Sequence, residues 1–413
     1  MTTALAHPIG LLARWLAIVM TSAQTITARR KQIQFLPLAC FPFVVTLLTG
    51  CLGSSSSPAD PIAPAPPPPS PPEVSDIIRY NHLGLSDVAV ETVFVTDDGV
   101  WVAGDQGIFF SANLTATNED EAKWQHQLDG IHISHMQGFH AQEVYAIGVE
   151  APDKPYVLFR STNRGQTWQR IENNFGGSSR DAYSNLETLY ADTETGYLYG
   201  AGQQAIAVSY DQGVQWQLLA GGWDMIALSA MLTRHPVYND LWLGGQNAIE
   251  QSTLVRFSLT QQTSDFWSQL LPAPSVNQTI VFDRTNPDRI LIGAEGGIIT
   301  SPDYGNNWHE LVVDTNGFYF DILQSPLDDN VWYSATWNKG IEPHPLQFIY
   351  STDNGESWQT NQHPASDVNY GVRSMKFVDA GQTRSDVIWA GLQSGRWSGG
   401  GVMRIEVDLE VFH

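Results

Sequence analysis

Arginine residues and large aromatic residues recur close together in predicted loops of this chain. These candidate ligand-binding residues are Arg180, Tyr183, Trp223, Tyr319, Trp337, Tyr370, Arg373, Arg396 and Trp397. Indole and phenol rings beside a guanidinium can stack on a sugar or pack on a protein surface, and the guanidinium can pair with a carboxylate. We therefore predict that some of these residues contact a protein or a glycan.

Other kinds of chemistry have weaker support in the sequence. Four histidines form a loose group that we interpret as a surface loop: His126, His132, His135 and His140. In a regular strand, His132 and His135 would point to opposite faces, which does not suit a shared metal ion. Gly399–Gly401 lacks the following Lys-Ser/Thr of a phosphate-binding loop. We predict no metal and no cofactor, and no catalytic residues can be assigned.

One eight-residue phrase, Ser-x-Asp/Asn-x-Gly-x-x-Trp, occurs four times. Its copies have Ser161, Asn163, Gly165 and Trp168; Ser209, Asp211, Gly213 and Trp216; Ser301, Asp303, Gly305 and Trp308; and Ser351, Asp353, Gly355 and Trp358. The Asp or Asn side chain can accept hydrogen bonds from nearby backbone N–H groups, and Gly can adopt a positive φ. The Trp then returns to a strand and buries its ring. Each copy predicts a hairpin turn, so loss of its Asp should cost stability before it costs binding.

The spacing of the phrase predicts seven repeats. Its serines are separated by 48, 92 and 50 residues, and the long gap is close to two periods. We place one decayed copy near Ser252–Ser258, another after Ser111, and a last repeat from Gly401 onward. A period of this size is typical of propellers and other repeat arrays. Small residues such as Ala103-Gly104 and Ala201-Gly202 end a strand in several repeats, and we expect them where neighbouring blades crowd.

Each repeat predicts four strands, and the third repeat illustrates the pattern with Leu186–Tyr190, Tyr197–Gly200, Ile206–Ser209 and Trp216–Leu219. The last repeat supplies only three strands, around Met375–Phe377, Val387–Ala390 and Val402–Val407. A spare strand at Ile77–Tyr80 precedes the first repeat. We therefore predict an all-β fold, a single seven-bladed β-propeller of four-stranded antiparallel blades. The N-terminal strand is expected to close the last blade and remove its exposed edge.

The repeated phrase resembles the Asp-box, or BNR, repeat of β-propellers. Proteins with this repeat include sialidases, large xyloglucan-degrading hydrolases, sortilin-type receptors and the photosystem II stability/assembly factor. Asn163 is a mild departure, since Asp is usual at that position. The resemblance implies that each box joins the third and fourth strands of a blade, on the face away from the ligand site. It also implies that ligands bind at the mouth of the central channel.

The resemblance leaves two kinds of function open. Sialidases need three arginines for the substrate carboxylate, a Tyr nucleophile with a Glu partner and an Asp acid/base, and they usually carry an Arg-Ile-Pro phrase that is absent here. Arg180, Arg373 and Arg396 could converge, but their spacing does not show it. Xyloglucan-type hydrolases hold the substrate between two rings, whereas one ring is predicted here. We favour a non-catalytic binding or assembly scaffold, with a sialidase-like or other glycoside hydrolase as the alternative.

The first 76 residues predict a secretion signal and a tether. Arg29–Lys31 is basic, and Phe35–Leu48 is apolar but short for a membrane span. The following Leu48-Thr49-Gly50-Cys51 resembles a bacterial lipobox, in which the lipidated Cys51 becomes the first residue. We predict a lipoprotein signal peptide over residues 1–50, with Met20 as an alternative start, and a plain signal peptide as the competing interpretation. A Ser/Pro-rich linker then extends to residue 76, and the propeller covers residues 77–413.

Composition restricts the partners and the compartment. Residues 51–413 carry 17 Lys and Arg against 43 Asp and Glu, which disfavours nucleic acid and favours cationic or polar partners. Cys40 lies in the predicted signal peptide, so the mature chain has no disulfide. We expect a monomer, secreted across the inner membrane and anchored by its lipid. Leu52 rather than Asp follows the cysteine, which favours the outer membrane, on its periplasmic or surface face.

Overall fold

The computed structural model describes residues 77–151, 154–179, 185–223, 227–268, 270, 275–338, 344–365, 370–381, 384–394 and 399–412. Over these residues the chain is almost entirely β-structure. Helical turns occur at α1 (Glu119–Ala122), Gly177–Ser179 and Leu409–Val411. None of the helices in this part of the chain has the length and apolar character needed to cross a membrane.

The first strand, β1 (Ile78–His82), is followed by sheets of four sequential antiparallel strands. Blade 1 contains β2 (Val90–Thr96), β3 (Gly99–Gly104), β4 (Gly107–Ser111) and β5 (Gln125–Gln127). Blade 2 contains β6 (His132–His140), β7 (Glu143–Val149), β8 (Val157–Ser161) and β9 (Gln169–Ile171). Blade 3 contains β10 (Thr188–Asp192), β11 (Tyr197–Gly202), β12 (Ala205–Ser209) and β13 (Gln217–Ala220). Blade 4 contains β14 (Ala227–Arg234), β15 (Asp240–Asn247), β16 (Ser252–Ser258) and β17 (Thr263–Ser268).

The remaining blades vary this pattern. Blade 5 contains β18 (Asn277–Phe282), β19 (Ile290–Ser301) and β20 (His309–Phe318). Blade 6 contains β21 (Ile322–Gln324), β22 (Trp332–Ala335), β24 (Gln347–Ser351) and β25 (Gln359–Gln362), and the short β23 (Trp337–Asn338) extends the end of β20. Blade 7 contains β26 (Gly371–Phe377), β27 (Ser385–Gln393), β28 (Gly400–Asp408) and β1.

The long strand β19 supplies both middle strands of blade 5. Its first half pairs with β18, its second half pairs with β20, and the Thr300 hydroxyl donates to the Ile290 carbonyl at 2.8 Å. Gly296 and Gly297 lie between the halves with φ of 99° and 150°, where a side chain would be strained. The element is therefore a hairpin, and blade 5 has the same four-stranded plan as the others.

The blades form a closed ring. The first strand of each blade contacts the first strand of the next, in the order β2, β6, β10, β14, β18, β21 and β26, and β26 contacts β2 again. The N-terminal strand β1 pairs antiparallel with β28, from Ile78 opposite Val407 to His82 opposite Met403. The predicted seven-bladed propeller, with its last blade completed by the N-terminal strand, is thus confirmed.

The hydrophobic core lies between adjacent blades rather than at one centre. Trp101 of blade 1 packs in the same cluster as Ile133 of blade 2, and Trp389 of blade 7 packs with Val90 of blade 1. Four tryptophans on the second strands are fully buried: Trp101, Trp242, Trp332 and Trp389. Large rings fill the wedge between two twisted sheets, so each blade is stabilised by both of its neighbours.

The ring has two distinct faces. Third strands end at Ser161, Ser209, Ser301 and Ser351, so the turns of the repeated phrase all lie on one side, which we call the box face. First strands begin on the opposite side, which we call the mouth face. Because Ile78 pairs with Val407 and His82 lies beside Gly400, β1 enters the ring at the box face and ends at the mouth face.

All four copies of the repeated phrase form one kind of turn. In the second copy, the Ser209 hydroxyl accepts the Gly213 N–H at 2.8 Å and donates to Asp211 Oδ1 at 2.9 Å, and Oδ1 accepts the Gln215 N–H at 2.8 Å. In the first copy, Asn163 Oδ1 accepts the equivalent N–H. The residue before the glycine is also left-handed in each copy, namely Arg164, Gln212, Tyr304 and Asn354. These four residue types share no property that would reveal this conformation in the sequence.

Replacing Asp211 by Ala should lower the free energy of unfolding by roughly 1 kcal/mol, because the turn loses the oxygen that holds two of its groups. Asp211→Asn should change it by less than about 0.5 kcal/mol, since Asn163 makes the same bond in the first copy. Urea melts of both variants would test this. Equal losses in the two variants would show that the side-chain oxygen does not hold the turn.

The small residues of the second strands make room for the chain that enters each blade. A Cβ placed on Gly104, Gly202 or Gly245 would lie 1.8–1.9 Å from a backbone carbonyl at or just before the start of the first strand of the same blade. We expected crowding between neighbouring blades, and this occurs at Gly391, where a Cβ would meet Val90 at 2.3 Å. At the other three glycines the expectation was wrong, because the obstructing carbonyl belongs to the blade itself.

Candidate functional site

The first strand of each blade has one irregular position near its mouth end. The register skips one residue in β2, β6, β14, β18 and β26, and both Glu187 and Thr188 lie opposite Ala201 in blade 3. Asp321 holds the corresponding place in blade 6, directly before β21. A residue at a β-bulge is released from the ladder, which re-aims its side chain. These seven positions form the mouth ring: Glu91, Ser134, Glu187, Ala230, Gln278, Asp321 and Arg373.

Arg373 and Glu91 pair across the junction of blades 7 and 1. The guanidinium donates to Glu91 Oε2 at 2.6 and 3.2 Å, and Gln393 Nε2 donates to Glu91 Oε1 at 2.8 Å. Burial by itself would raise the pKa of Glu91, but the adjacent Arg373 and, more weakly, His132 hold it below its usual value. The pair therefore stays ionised and joins the two ends of the ring.

An aromatic wall supports Arg373 on the other side. Its guanidinium carbon lies 3.8 Å from the centroid of the Phe320 ring, which is a close cation–π contact. Phe318 stacks on Phe320 at 5.5 Å, and the Trp337 ring meets both edge-on. Two of the candidate residues, Trp337 and Arg373, are thus brought together. Trp337 is buried and Arg373 is partly buried, so the wall fixes the position of the guanidinium.

Asp321 is held by the first strand of blade 7. Its Oδ2 atom accepts from Lys376 Nζ at 2.8 Å, from the Met375 N–H at 2.8 Å and from the Ser374 hydroxyl at 3.2 Å. The Lys376 side chain is 39% exposed, so the ion pair contributes little stability by itself. The backbone and hydroxyl bonds fix the carboxylate in place at the junction of blades 6 and 7.

Glu187 has a different environment from the other two ring carboxylates. It accepts the Ser229 N–H of blade 4 at 2.7 Å, and no cation pairs with it among the described residues. Burial raises the pKa of Glu187 to about 7, although hydrogen bonds from the Ser229 and Gln203 backbones oppose the shift. Burial raises the pKa of the Tyr156 phenol to about 12, and the negative charges of Glu187 and Glu91 act in the same direction.

The stability of the protein should respond to Glu187 as the pH changes. A carboxyl whose pKa is higher in the folded state than in the unfolded state stabilises the fold below its unfolded pKa, and this stabilisation is lost as the pH rises through the folded pKa. The stabilisation is therefore lost as the pH rises from about 4.5 to slightly above 7. Between pH 5 and pH 8, the free energy of unfolding of Glu187→Gln should be higher than that of the native chain by roughly 1–3 kcal/mol. Urea melts across this pH range test the prediction. If Glu187 titrates normally, the free energy of unfolding will depend on pH in the same way in the native chain and in Glu187→Gln.

The other candidate ligand-binding residues have varied positions. Trp223 is partly buried against Phe175, at 4.8 Å between ring centroids. Tyr319 is buried in the interface of blades 5 and 6, and Tyr370 packs partly buried between blades 6 and 7. Arg180, Tyr183, Arg396, Trp397 and Cys51 lie outside the described residues. Ligand contact by any of these residues stays a prediction.

The histidine group is not a surface loop, contrary to the sequence interpretation. His126 lies in β5, and the other three histidines lie in β6. The bulge at Ser134 places His132 and His135 on the same side of the sheet, since their partners Val149 and Ile147 are two residues apart. Burial lowers the pKa of His135 to about 4, and its Nε2 lies 3.1 Å from the Leu189 carbonyl. Within the described residues no cluster suited to a metal ion occurs.

Sequence reasoning missed most of the mouth ring. Glu91, Glu187 and Asp321, together with Tyr156 and Gln393, were not among the candidate residues. Only their position could have indicated them, because each ring residue lies near the start of the first strand of a repeat while the residue types include acidic, basic and apolar ones. Only an alignment of the seven repeats on their small-residue strands would have found them.

Comparison with known proteins identifies the fold. No protein-family model and no curated protein matches the chain. A solved structure described as YCF48 bound to D1 peptide is 16% identical with a TM-score of 0.55, covering 80% of this chain and 96% of that one. YCF48 from Cyanidioschyzon merolae is 15% identical with a TM-score of 0.55, covering 81% and 99%. The GH74 xyloglucanase from Xanthomonas campestris is 12% identical with a TM-score of 0.56, covering 81% of this chain and 54% of that one.

Proposed function

We propose that this protein is a non-catalytic binding or assembly scaffold of the cell envelope, whose propeller binds a partner protein at the mouth face. The observation that carries the proposal is the mouth ring, which includes three carboxylates and an arginine that packs on an aromatic wall. The similar solved structure described as YCF48 bound to D1 peptide is a precedent for a peptide partner. The Asp-box resemblance and the acidic composition agree with a scaffold that takes polar partners.

The mouth face also offers apolar surface for a partner. Ile249 lies in the connection between β15 and β16 and is 71% exposed. Protein interfaces usually combine an apolar centre with a polar rim. The mouth therefore combines an apolar contact with polar groups that can select a partner.

The path of β1 supports presentation of the mouth away from an anchor. The described chain begins at Ile77 on the box face, where the Asp408 N–H donates to the Ile77 carbonyl at 2.9 Å. The first described residue therefore lies on the face opposite the mouth. If Cys51 carries the lipid, the mouth is free to meet a partner in the adjacent compartment.

The anchor itself has a direct test. Cys51→Ser should abolish incorporation of labelled palmitate and release the protein from the membrane fraction, because signal peptidase processing at a lipobox requires the thiol. Cys40→Ser is the matched control and should be processed normally. Palmitate labelling that persists in Cys51→Ser would contradict lipidation at this residue.

Partner binding is tested by a crosslinked pull-down from the envelope of cells that make the tagged chain. Ile249→Asp, on the mouth face, should reduce recovery of the partner at least tenfold. Tyr210→Asp is the control, because Tyr210 is also well exposed but lies on the box face. Equal recovery with both variants would contradict binding at the mouth.

The alternative function is a glycoside hydrolase, sialidase-like or otherwise, acting at the mouth. One observation favours it: Glu91 has a lowered pKa and Glu187 a raised one, which is the division of roles between a nucleophile or base and a general acid. Turnover of a panel of fluorogenic glycosides would test it. Activity that is lost in both Glu91→Gln and Glu187→Gln would replace the scaffold proposal.

A further inference from the structure

The charges of the mouth ring are unevenly compensated. Glu91 pairs with Arg373, and Asp321 pairs with Lys376. Glu187 receives hydrogen bonds from backbone N–H groups, and the described part of the chain places no lysine or arginine against it. Among the described residues, Glu187 is therefore the ring carboxylate whose charge no cationic side chain balances.

A second acceptor near the ring also lacks a donor. Gln393 is 1% exposed, and its Nε2 donates to Glu91 while its Oε1 is buried with no hydrogen-bond partner. Both atoms belong to one amide, so the unpaired oxygen lies next to the Glu91 carboxylate. A buried acceptor without a donor costs roughly 1–3 kcal/mol, which a ligand donor would recover.

Gln393, Glu91 and Glu187 belong to one sector of the mouth. The strand β26 of blade 7 contacts β2, β2 contacts β6, and β6 contacts β10, which directly follows Glu187. The sector from blade 7 to blade 3 thus presents carboxylate oxygens and an amide oxygen, all of which accept hydrogen bonds. Such a site needs a ligand with positive charge and several N–H donors.

We propose that the mouth recognises a cationic side chain of the partner protein, an arginine or a lysine, which pairs with Glu187. A guanidinium offers five N–H donors and an ammonium three, and neither accepts a hydrogen bond. An anionic group is disfavoured, because Arg373 is already engaged by Glu91 and the ring carries three carboxylates to one guanidinium. The proposal rests on the proposed function, since it names the group by which the partner binds.

The test uses two acetylated, amidated tripeptides, Gly-Arg-Gly and Gly-citrulline-Gly, titrated into the folded propeller and followed by NMR. Citrulline has the shape of arginine without its charge, so the arginine peptide should bind at least tenfold more tightly. Glu187→Gln should remove this preference. Glu194→Gln is the control, because Glu194 lies on the same blade at the box face and should leave the preference unchanged.

Each outcome decides the proposal. Equal affinities for the two peptides, or a preference that persists in Glu187→Gln, would overturn it. A melting temperature of Glu187→Gln that is equal to or higher than that of the native protein ensures that a lost preference reflects the site rather than unfolding. If the peptides are not discriminated but Ile249→Asp still loses the envelope partner, the mouth binds a partner by other contacts and only the cationic recognition falls.

Discussion

Deleting residues 77–82 should lower the melting temperature of the propeller by on the order of 10 °C. The deletion removes β1, which supplies the outer strand of blade 7 and buries Ile78 to 3% exposure. It also exposes the edge of β28 and opens the cluster to which Ile77 and Ile78 contribute. The lost burial and the lost ladder hydrogen bonds together amount to at least about 4 kcal/mol.

The matched control is a chain that begins at residue 76, which keeps β1 and removes the preceding segment. Its melting temperature should equal that of the longer chain. Differential scanning calorimetry of the two truncations separates closure of the ring from any effect of the N-terminal segment. Equal melts for the chains starting at residues 76 and 83 would show that β1 is not part of the cooperative fold.

Arg373→Met should cost about 2–4 kcal/mol of folding free energy near pH 7.5, which is the second large effect that we expect. The substitution keeps an unbranched side chain against Phe320 but leaves Glu91 ionised, 10% exposed and without its cation. Breaking a buried pair by removing one partner strands the other charge. The loss should shrink as the pH falls, because protonation of Glu91 removes the uncompensated charge.

A double variant makes this prediction specific. Glu91→Gln combined with Arg373→Met should recover most of the loss, since the amide oxygen can still accept from Gln393 and no charge remains buried. Arg170→Met is the surface control: Arg170 is 48% exposed in its pair with Glu150, so its loss should cost less than about 1 kcal/mol. A double variant as unstable as Arg373→Met would show that packing, not charge, is the cause.

The sequence predicted the architecture because the repeated phrase has a fixed position within each blade. Its spacing located the turn copies, the two degenerate repeats and the strand that closes the ring. Blade 4 shows why a degenerate copy is still accommodated. A different turn joins β16 and β17 there. The Arg256 guanidinium lies 4.5 Å from the Tyr304 ring of blade 5 and donates to the Tyr304 backbone carbonyl. The interface between blades is kept although the phrase is lost.

Strand boundaries and the mouth ring were harder to predict for one physical reason. A bulge adds one residue and so reverses the phase of the inward–outward alternation, and a strict alternation applied across it puts side chains on the wrong face or misplaces the end of the strand. The predicted strand Leu186–Tyr190 is observed as Thr188–Asp192, displaced by the irregular position at Glu187. Arg373 was found because its type invites a ligand, whereas Glu91 and Glu187 looked like ordinary surface acids of an acidic chain.

The face that contacts the partner is the most direct test of the account. A photo-crosslinking amino acid can be placed at position 249 on the mouth face and at position 210 on the box face, where Ile249 and Tyr210 are 71% and 59% exposed. After irradiation of living cells, we expect a defined protein adduct from position 249 and none of comparable yield from position 210. An adduct formed from position 210 alone would contradict the mouth as the binding site.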